Sequence, residues 1–315
     1  MTHLPIELKR RIEAKLERLK RLRPLPQAAL KKLRQQFEIE MTYNSNAIEG
    51  NSLTLKETFL VISEGITVRN KPLKDHLEAK DHYQALEFLM DLVGPGRQAA
   101  LTEHLVRQFH QLVMVDTARE EAGKYRSTNV TILGSTHKPP EAFHVPQKMR
   151  ELIEWHRANR KRLHLIELAA LFHYRFEHVH PFSDGNGRVG RLLMNVILMQ
   201  EGYPLAVVLK NDRKKYYDVL SKADRDNFSP LVRFMAQNVE RSLDIYLKAL
   251  APSKKTEQFH SLSELSRKTR FSAKYLNLLA RQGKLEAHKE GRDWLSSIEA
   301  VERYLAGRKR KRKRR

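Results

Sequence analysis

His180-Pro181-Phe182-Ser183-Asp184-Gly185-Asn186-Gly187-Arg188-Val189-Gly190-Arg191 runs between a strongly apolar helical segment, 165–179, and a second predicted helix, 189–200. Gly185 and Gly187 permit backbone conformations in which successive N–H groups converge on one concavity. Beside a helix N-terminus, such a concavity is an anion cradle. Arg188 and Arg191 are three residues apart, so they are expected to point the same way on the first turn, each with forked donors for phosphate oxygens. Asp184 offers a hard carboxylate suited to Mg²⁺ bound jointly with phosphates. His180, whose ordinary pKa is about 6.5, can take a proton from a hydroxyl at neutral pH. Base, metal carboxylate, anion cradle and two arginines are the parts of a phosphate-transfer site.

The segment resembles the signature of the Fic family, His-x-Phe-x-(Asp/Glu)-Gly-Asn-Gly-Arg-x-x-Arg, and matches it at every fixed position. The resemblance extends over about 41–245. It implies a mainly α-helical Fic core with a β-hairpin flap, and the activity of a protein adenylyltransferase that moves AMP from ATP onto a Ser, Thr or Tyr hydroxyl. In that reading His180 deprotonates the hydroxyl, which attacks the α-phosphate and expels pyrophosphate. Asp184 would hold Mg²⁺. Asn186 and the neighbouring amides of Gly185 and Gly187 would hold the α-phosphate, with Arg188 and Arg191 on the β- and γ-phosphates and Phe182 anchored in the core. Gly187 matches the nucleotidyl-transferring members, whereas the kinase-like branch resembling the Doc toxin has lysine there. No Walker A pattern occurs.

Three further groups of residues follow from the same resemblance. Ser45-Asn46-Ala47-Ile48-Glu49-Gly50 resembles the family's inhibitory motif, (Ser/Thr)-x-x-x-Glu-(Gly/Asn). A helix puts Ser45 and Glu49 on one face, from which Glu49 could pair with Arg191 and exclude the γ-phosphate. Val130, Thr131, Ile132 and Leu133 fall in the expected flap, which would align a target segment by strand-like backbone pairing. Tyr216 and Tyr217 would border the adenine. A zinc site made from His173, His178 and His180 is disfavoured, because residues 173 and 178 are five apart and do not share a helix face.

Outside the motif the pattern is helical nearly throughout: 8–22 (closed by Pro24 and Pro26), 28–48 (ended by Gly50), a helix opened by the capping box Thr54–Glu57, 74–93 up to Gly94-Pro95-Gly96, a helix from Thr102 to about 115, 146–160, 212–222 and 231–250. Only 129–133 looks like a strand, with turn residues in 134–140. After a linker at 251–255 come short helices at 262–268 and 273–282, a hairpin turning at Glu290-Gly291, and a last helix from Ser297 to about 305. Arg281-Gln282-Gly283-Lys284-Leu285 and Gly291-Arg292-Asp293-Trp294 resemble the small winged-helix domains of excisionase-like and MerR-like regulators, with Leu276, Leu279, Leu285 and Trp294 as core. Lys274, Arg281, Lys289 and Arg292 would be the phosphate contacts on DNA. The expected organisation is an N-terminal helical region with the inhibitory helix (1–50), a Fic catalytic domain (51–250), a winged helix (258–306) and a basic tail (307–315).

The 315 residues carry a net charge of +22 and no cysteine. Eight of those charges lie in 308–315, which reads either as a solubilising terminus or as a contact for polyanions. Absence of cysteine excludes disulfides, thiol nucleophiles and cysteine–zinc sites. With no long apolar run and no signal-like N-terminus, the expectation is a cytoplasmic protein without a membrane partner. The expected partners are target proteins, the chain itself as substrate or as homodimer, and DNA. Two other readings stay open: a DNA-binding regulator whose Fic site senses nucleotide without turnover, and a transferase using UTP or another diphosphate-containing donor.

Overall fold

The computed structural model describes residues 2–22, 25, 27–94, 96–132, 134–250 and 258–313. Pro24, Pro26, Pro95, Leu133, the linker at 251–255 and the last two residues lie outside that set. Two central helices organise the rest. Helix α7 (Leu165–Val179) and helix α8 (Asn186–Met199) pack against each other, joined by the His180–Gly185 turn. Their sequences are apolar on nearly every face, and α8 is buried continuously from Arg188 to Leu198. A helix without a polar side must be enclosed by others. The enclosing helices are α4 (Leu73–Leu92) and α5 (Glu103–Met114) against α8, and α6 (Val145–Asn159) and α10 (Ser229–Leu250) against α7. Helix α1 (Ile6–Arg21) lies along α10, while α2 (Gln27–Ile48) touches α4, α8 and α10. Helices α3 (Leu55–Ser63) and α9 (Arg213–Ala223) complete this body.

Local chemistry sets several ends. The Thr54–Glu57 capping box opens α3 with both reciprocal hydrogen bonds present, and Thr102 caps α5. Gly50, at φ 108°, ends α2 in a Schellman arrangement: Asn51 N–H donates to Asn46 O at 3.1 Å and Gly50 N–H to Ala47 O at 3.4 Å. This close places Glu49 as the last residue before the chain turns away. Helix α8 starts at Asn186, three residues earlier than the sequence pattern suggests, so the glycine-rich loop is itself the helix's first turn.

The segment expected to be a β-hairpin flap carries no strand among its described residues 129–132. A turn bond, Ser135 N–H to Ile132 O at 3.1 Å, follows it. An extended segment lacking a second edge has no ladder to join.

The C-terminal unit has its own core of Leu262, Leu265, Leu276, Leu279, Leu285 and Val301, with Trp294 packed at its side. It comprises β1 (His260–Ser261), α11 (Leu262–Lys268), α12 (Ala273–Arg281), β2 (His288–Glu290), β3 (Asp293–Ser296) and α13 (Ile298–Lys313). The antiparallel sheet has the order β1-β3-β2, and β1 went unread in the sequence because two residues give no periodicity. Helix α13 continues to Lys313, well past the expected end near 305. The unit is bolted to the helical body. Arg11 bridges Glu240 and the Gly283 carbonyl, Lys15 pairs with Glu240, Asp244 and Glu286, and Arg241 donates to Lys289 O at 2.6 Å.

Candidate active site

His180 ends α7 in the left-handed region, at φ 48° and ψ 61°. That conformation is costly for a residue with a Cβ and persists only where neighbours over-determine it. Buried Arg126 does so. Its Nε donates to His180 O at 2.8 Å, its two terminal nitrogens donate to Thr128 O at 3.0 Å and Pro140 O at 2.5 Å, and its backbone N–H donates to Pro181 O at 3.0 Å. One guanidinium thus ties the His180 turn to both ends of the expected flap segment. Phe182 is fully buried, its ring stacked on His110 at 3.6 Å between centroids. His110 Nδ1 accepts from Gly123 N–H at 2.9 Å, leaving Nε2–H to donate to Asp184 O at 3.1 Å. Burial pushes this imidazole down to about 4, so it stays neutral and keeps that tautomer.

Asn186 closes the turn from the other side. Its side-chain amide donates to Phe182 O at 2.8 Å and accepts from Phe182 N–H at 3.0 Å. Its polar side chain is therefore engaged in shaping the loop, which leaves the backbone N–H groups at the start of α8 for an anion. His180 is held mostly out of water, and burial, helped by Arg126, lowers its pKa to about 4. At neutral pH the ring carries a free lone pair, and buried Nδ1 has no hydrogen-bond partner among the described residues. Asp184 is half-exposed: Oδ1 accepts from Gly185 N–H at 2.6 Å and Arg188 at 3.3 Å, while Oδ2 has no such partner among the described residues. Burial would raise its pKa, but Arg188 and the Gly185 amide hold it below the ordinary carboxylate value. An ionised carboxylate with a free oxygen fits a hard cation such as Mg²⁺.

Ser45 and Glu49 come together on Arg191. Arg191 Nε donates to Ser45 Oγ at 3.0 Å, and one terminal nitrogen donates to Ser45 O at 2.8 Å and Glu49 Oε1 at 2.7 Å. Burial works against the guanidinium's charge, yet the Glu49 carboxylate raises its pKa above the usual value. The carboxylate lies flush against Gly187: a methyl group built there would overlap Oε1 and stand 3.0 Å from Cδ. A side chain at position 187 would have to displace the Glu49 carboxylate from its present place. Arg188 Nε and one terminal nitrogen each of Arg188 and Arg191 are buried without hydrogen-bond partners among the described residues. The Arg188 terminal nitrogen faces the Glu78 carboxylate at 3.5 Å, so Arg188 Nε and the Arg191 terminal nitrogen are the donors left open to a polyanion.

The two arginines do not point the same way as expected. Arg188 turns to Asp184, Met114 and, at 3.5 Å, Glu78, whereas Arg191 reaches α2, because three helical positions still differ by about 60° around the axis. The tyrosine pair also separates. Tyr216 is enclosed, its hydroxyl 2.6 Å from His173 Nε2, while Tyr217 keeps an open face with the Arg213 guanidinium 4.9 Å from its ring. Tyr217 alone could meet a base. In the flap segment Val130 and Ile132 are half-buried and Thr131 is exposed; Leu133 lies outside the described residues. His173, His178 and His180 enter three different surroundings, consistent with their unlike helix faces.

Sequence reasoning missed Arg126, His110 and Glu177. Glu177 reaches α8 beside Gly190, its Oε1 buried without a hydrogen bond among the described residues. Burial, reinforced by Glu49 and opposed by Arg191, pushes its pKa up to about 8. None of the three carries a spacing signal.

The Fic/DOC family model matches residues 100–198. The chain is 36% identical over 206 residues to a protein adenylyltransferase Fic of Nematostella vectensis, covering 65% of this chain and 48% of that protein. It spans about half the length of the curated relatives it matches. A Fic domain containing signaling protein from Bacteroides thetaiotaomicron superimposes with a TM-score of 0.72 at 32% identity, over 79% of this chain and 100% of the other. A Fic family protein from Desulfovibrio desulfuricans aligns with a TM-score of 0.66 at 25% identity, over 93% and 95% of the two chains, the C-terminal unit included in large part. With the complete motif set on the α7–α8 turn and a relative matched over its whole length, the chain belongs to the Fic family.

Proposed function

We propose that this chain is a Mg²⁺-dependent protein adenylyltransferase held off by its own Glu49. The observation that carries the reading is the Glu49 carboxylate lodged on Arg191 and against Gly187, an anion of the chain standing in the cradle built for a phosphate. In the active state the hydroxyl oxygen of a target side chain attacks the α-phosphorus of ATP. The bond from that phosphorus to the bridging oxygen of the β-phosphate breaks, and pyrophosphate leaves. The hydroxyl proton passes to the neutral ring of His180, whose position Arg126 fixes. Backbone N–H groups at the start of α8 and the open donors of Arg188 and Arg191 hold the phosphates. Mg²⁺ on Asp184 would neutralise phosphate charge. Glu49 must swing out first, and its side chain, 31% exposed, has solvent to move into.

Intact-mass measurement after incubation with Mg·ATP tests this. Glu49→Ala should gain one adenylyl group on a hydroxyl, the Glu49→Ala/His180→Ala double variant none, and Mg·UTP in place of ATP should give little product. A Glu49→Ala chain that binds ATP and never gains mass would favour the nucleotide sensor instead.

One observation supports a polyanion contact by the C-terminal unit, proposed as a winged helix: Lys274, Arg281 and Arg292 stay exposed on α12 and the β2–β3 turn. Lys289 is not available for this role, because it pairs with Asp212 and packs towards α10. Engaging about three phosphates predicts a slope near −3 in log K against log salt for duplex DNA. A flat salt response would reassign this face to protein contacts.

A further inference from the structure

His137, from the segment after the flap, stacks on His178 in the last turn of α7, with ring centroids 3.8 Å apart and planes at 28°. His137 Nε2 lies 2.7 Å from the His178 carbonyl oxygen. Asp224, at the C-terminal end of α9, brings Oδ1 to 3.7 Å from His178 Nδ1. One ligand atom from each of the three residues lies within 4.8 Å of the others. A tetrahedral ion with bonds of about 2.0–2.1 Å needs ligand atoms about 3.3 Å apart, so small side-chain rotations suffice. Both His178 and His137 have room for them, the first being exposed and the second on a loop.

The chemistry of the trio points to a borderline cation. Two imidazoles and one carboxylate suit Zn²⁺, and the absence of cysteine and of an oxygen-rich shell argues against softer or harder ions. The Tyr174 hydroxyl lies 3.2 Å from Asp224 Oδ1 and 3.3 Å from His178 Nδ1, a neighbour that orients both ligands. Three protein ligands leave one position for water, the pattern of an exchangeable site.

We propose that His137, His178 and Asp224 form a Zn²⁺ site that clamps the 129–140 segment onto α7. The three ligands come from a loop and the ends of two helices, so the ion would add to the His137–His178, His178–Asp224 and Tyr174–Asp224 contacts that join these elements. His178 lies two residues before His180, and the segment it holds is the expected target-aligning flap. The regulatory meaning, that zinc restrains this flap, rests on that reading; the site itself does not.

The test uses the full chain, stripped with chelator and titrated with Zn²⁺ at pH 7 by calorimetry, alongside hydrogen exchange of the 129–140 amides. One equivalent should bind, His137→Ala and Asp224→Asn should each weaken that binding at least tenfold, and exchange in 129–140 should slow when zinc is added. His137→Ala lies on a loop, so it keeps the test decisive should Asp224→Asn fold poorly. Three results would overturn the proposal: no saturable binding, equal binding in the folded variants, or exchange in 129–140 unchanged by zinc. None of these measurements depends on AMP transfer, so failure of the site is distinguishable from failure of the enzymatic reading.

Discussion

Replacing Glu49 by alanine removes one of the three hydrogen bonds that Arg191 makes to Ser45 and Glu49 and leaves both bonds to Ser45 in place. A hydrogen bond between a guanidinium and a carboxylate contributes about 1.5–3 kcal/mol net. Taking about 2 kcal/mol as the bias towards the closed cradle, its loss raises the nucleotide-competent population about thirtyfold. Alanine keeps the helical propensity of the α2 end, so the Gly50 turn should survive the change. The assay is the initial rate of self-labelling from α-³²P-ATP at an ATP concentration far below half-saturation. There the rate follows the open population, and a gain of roughly ten- to a hundredfold is expected. Glu49→Gln is the control for shape. It still fills the space beside Gly187 but drops the charge, so it should give a smaller gain than alanine. Rates within twofold of the parent for both variants, with unchanged circular dichroism, would show that Glu49 does not restrain the site.

His180→Ala in the Glu49→Ala background should lower transfer by about 10²–10⁴ while leaving Mg·ATP affinity nearly intact, since the phosphate donors lie on other residues; calorimetry and labelling together check both halves. Arg126→Ala should reduce transfer at least tenfold with little effect on ATP binding, and Arg126→Lys should rescue poorly, because a single ammonium cannot reproduce a fork that serves three carbonyls. Glu177 holds its proton to about pH 8 when folded, against about 4.5 unfolded, so the native state binds the extra proton between those values. Its contribution is full below about pH 4.5 and is lost as pH rises towards 8. The melting temperature of Glu177→Gln relative to the parent should therefore climb between pH 5 and pH 8; a difference independent of pH would refute the buried proton.

Much of this architecture was legible because its signals are local. The apolar runs of α7 and α8, the Thr54 and Thr102 caps and the Gly50 terminus each act within a few residues, and the structure places them there. The Glu49–Arg191 contact joins residues 142 positions apart, yet it was anticipated because a short motif marks each end. What stayed hidden depends on long-range meeting without such marks. Arg126 acts through carbonyl groups that only the folded turn gathers, and His137, His178 and Asp224 share nothing in sequence. Asn186 shows the opposite limit: the motif flags it, but only the fold reveals that its side chain binds Phe182 rather than facing outward. The flap misled because 129–133 has strand composition, whereas strand structure needs a partner edge.

Which phosphorus of ATP ends on the protein is the most direct test of adenylyl transfer at this site. Parallel reactions of the Glu49→Ala chain with α-³²P-ATP and γ-³²P-ATP separate the outcomes. Protein-bound label should come from the α position alone, with the γ label leaving as pyrophosphate. Label retained from the γ position would mean phosphoryl rather than adenylyl transfer, and would contradict the proposed roles of Gly187, Arg191 and His180.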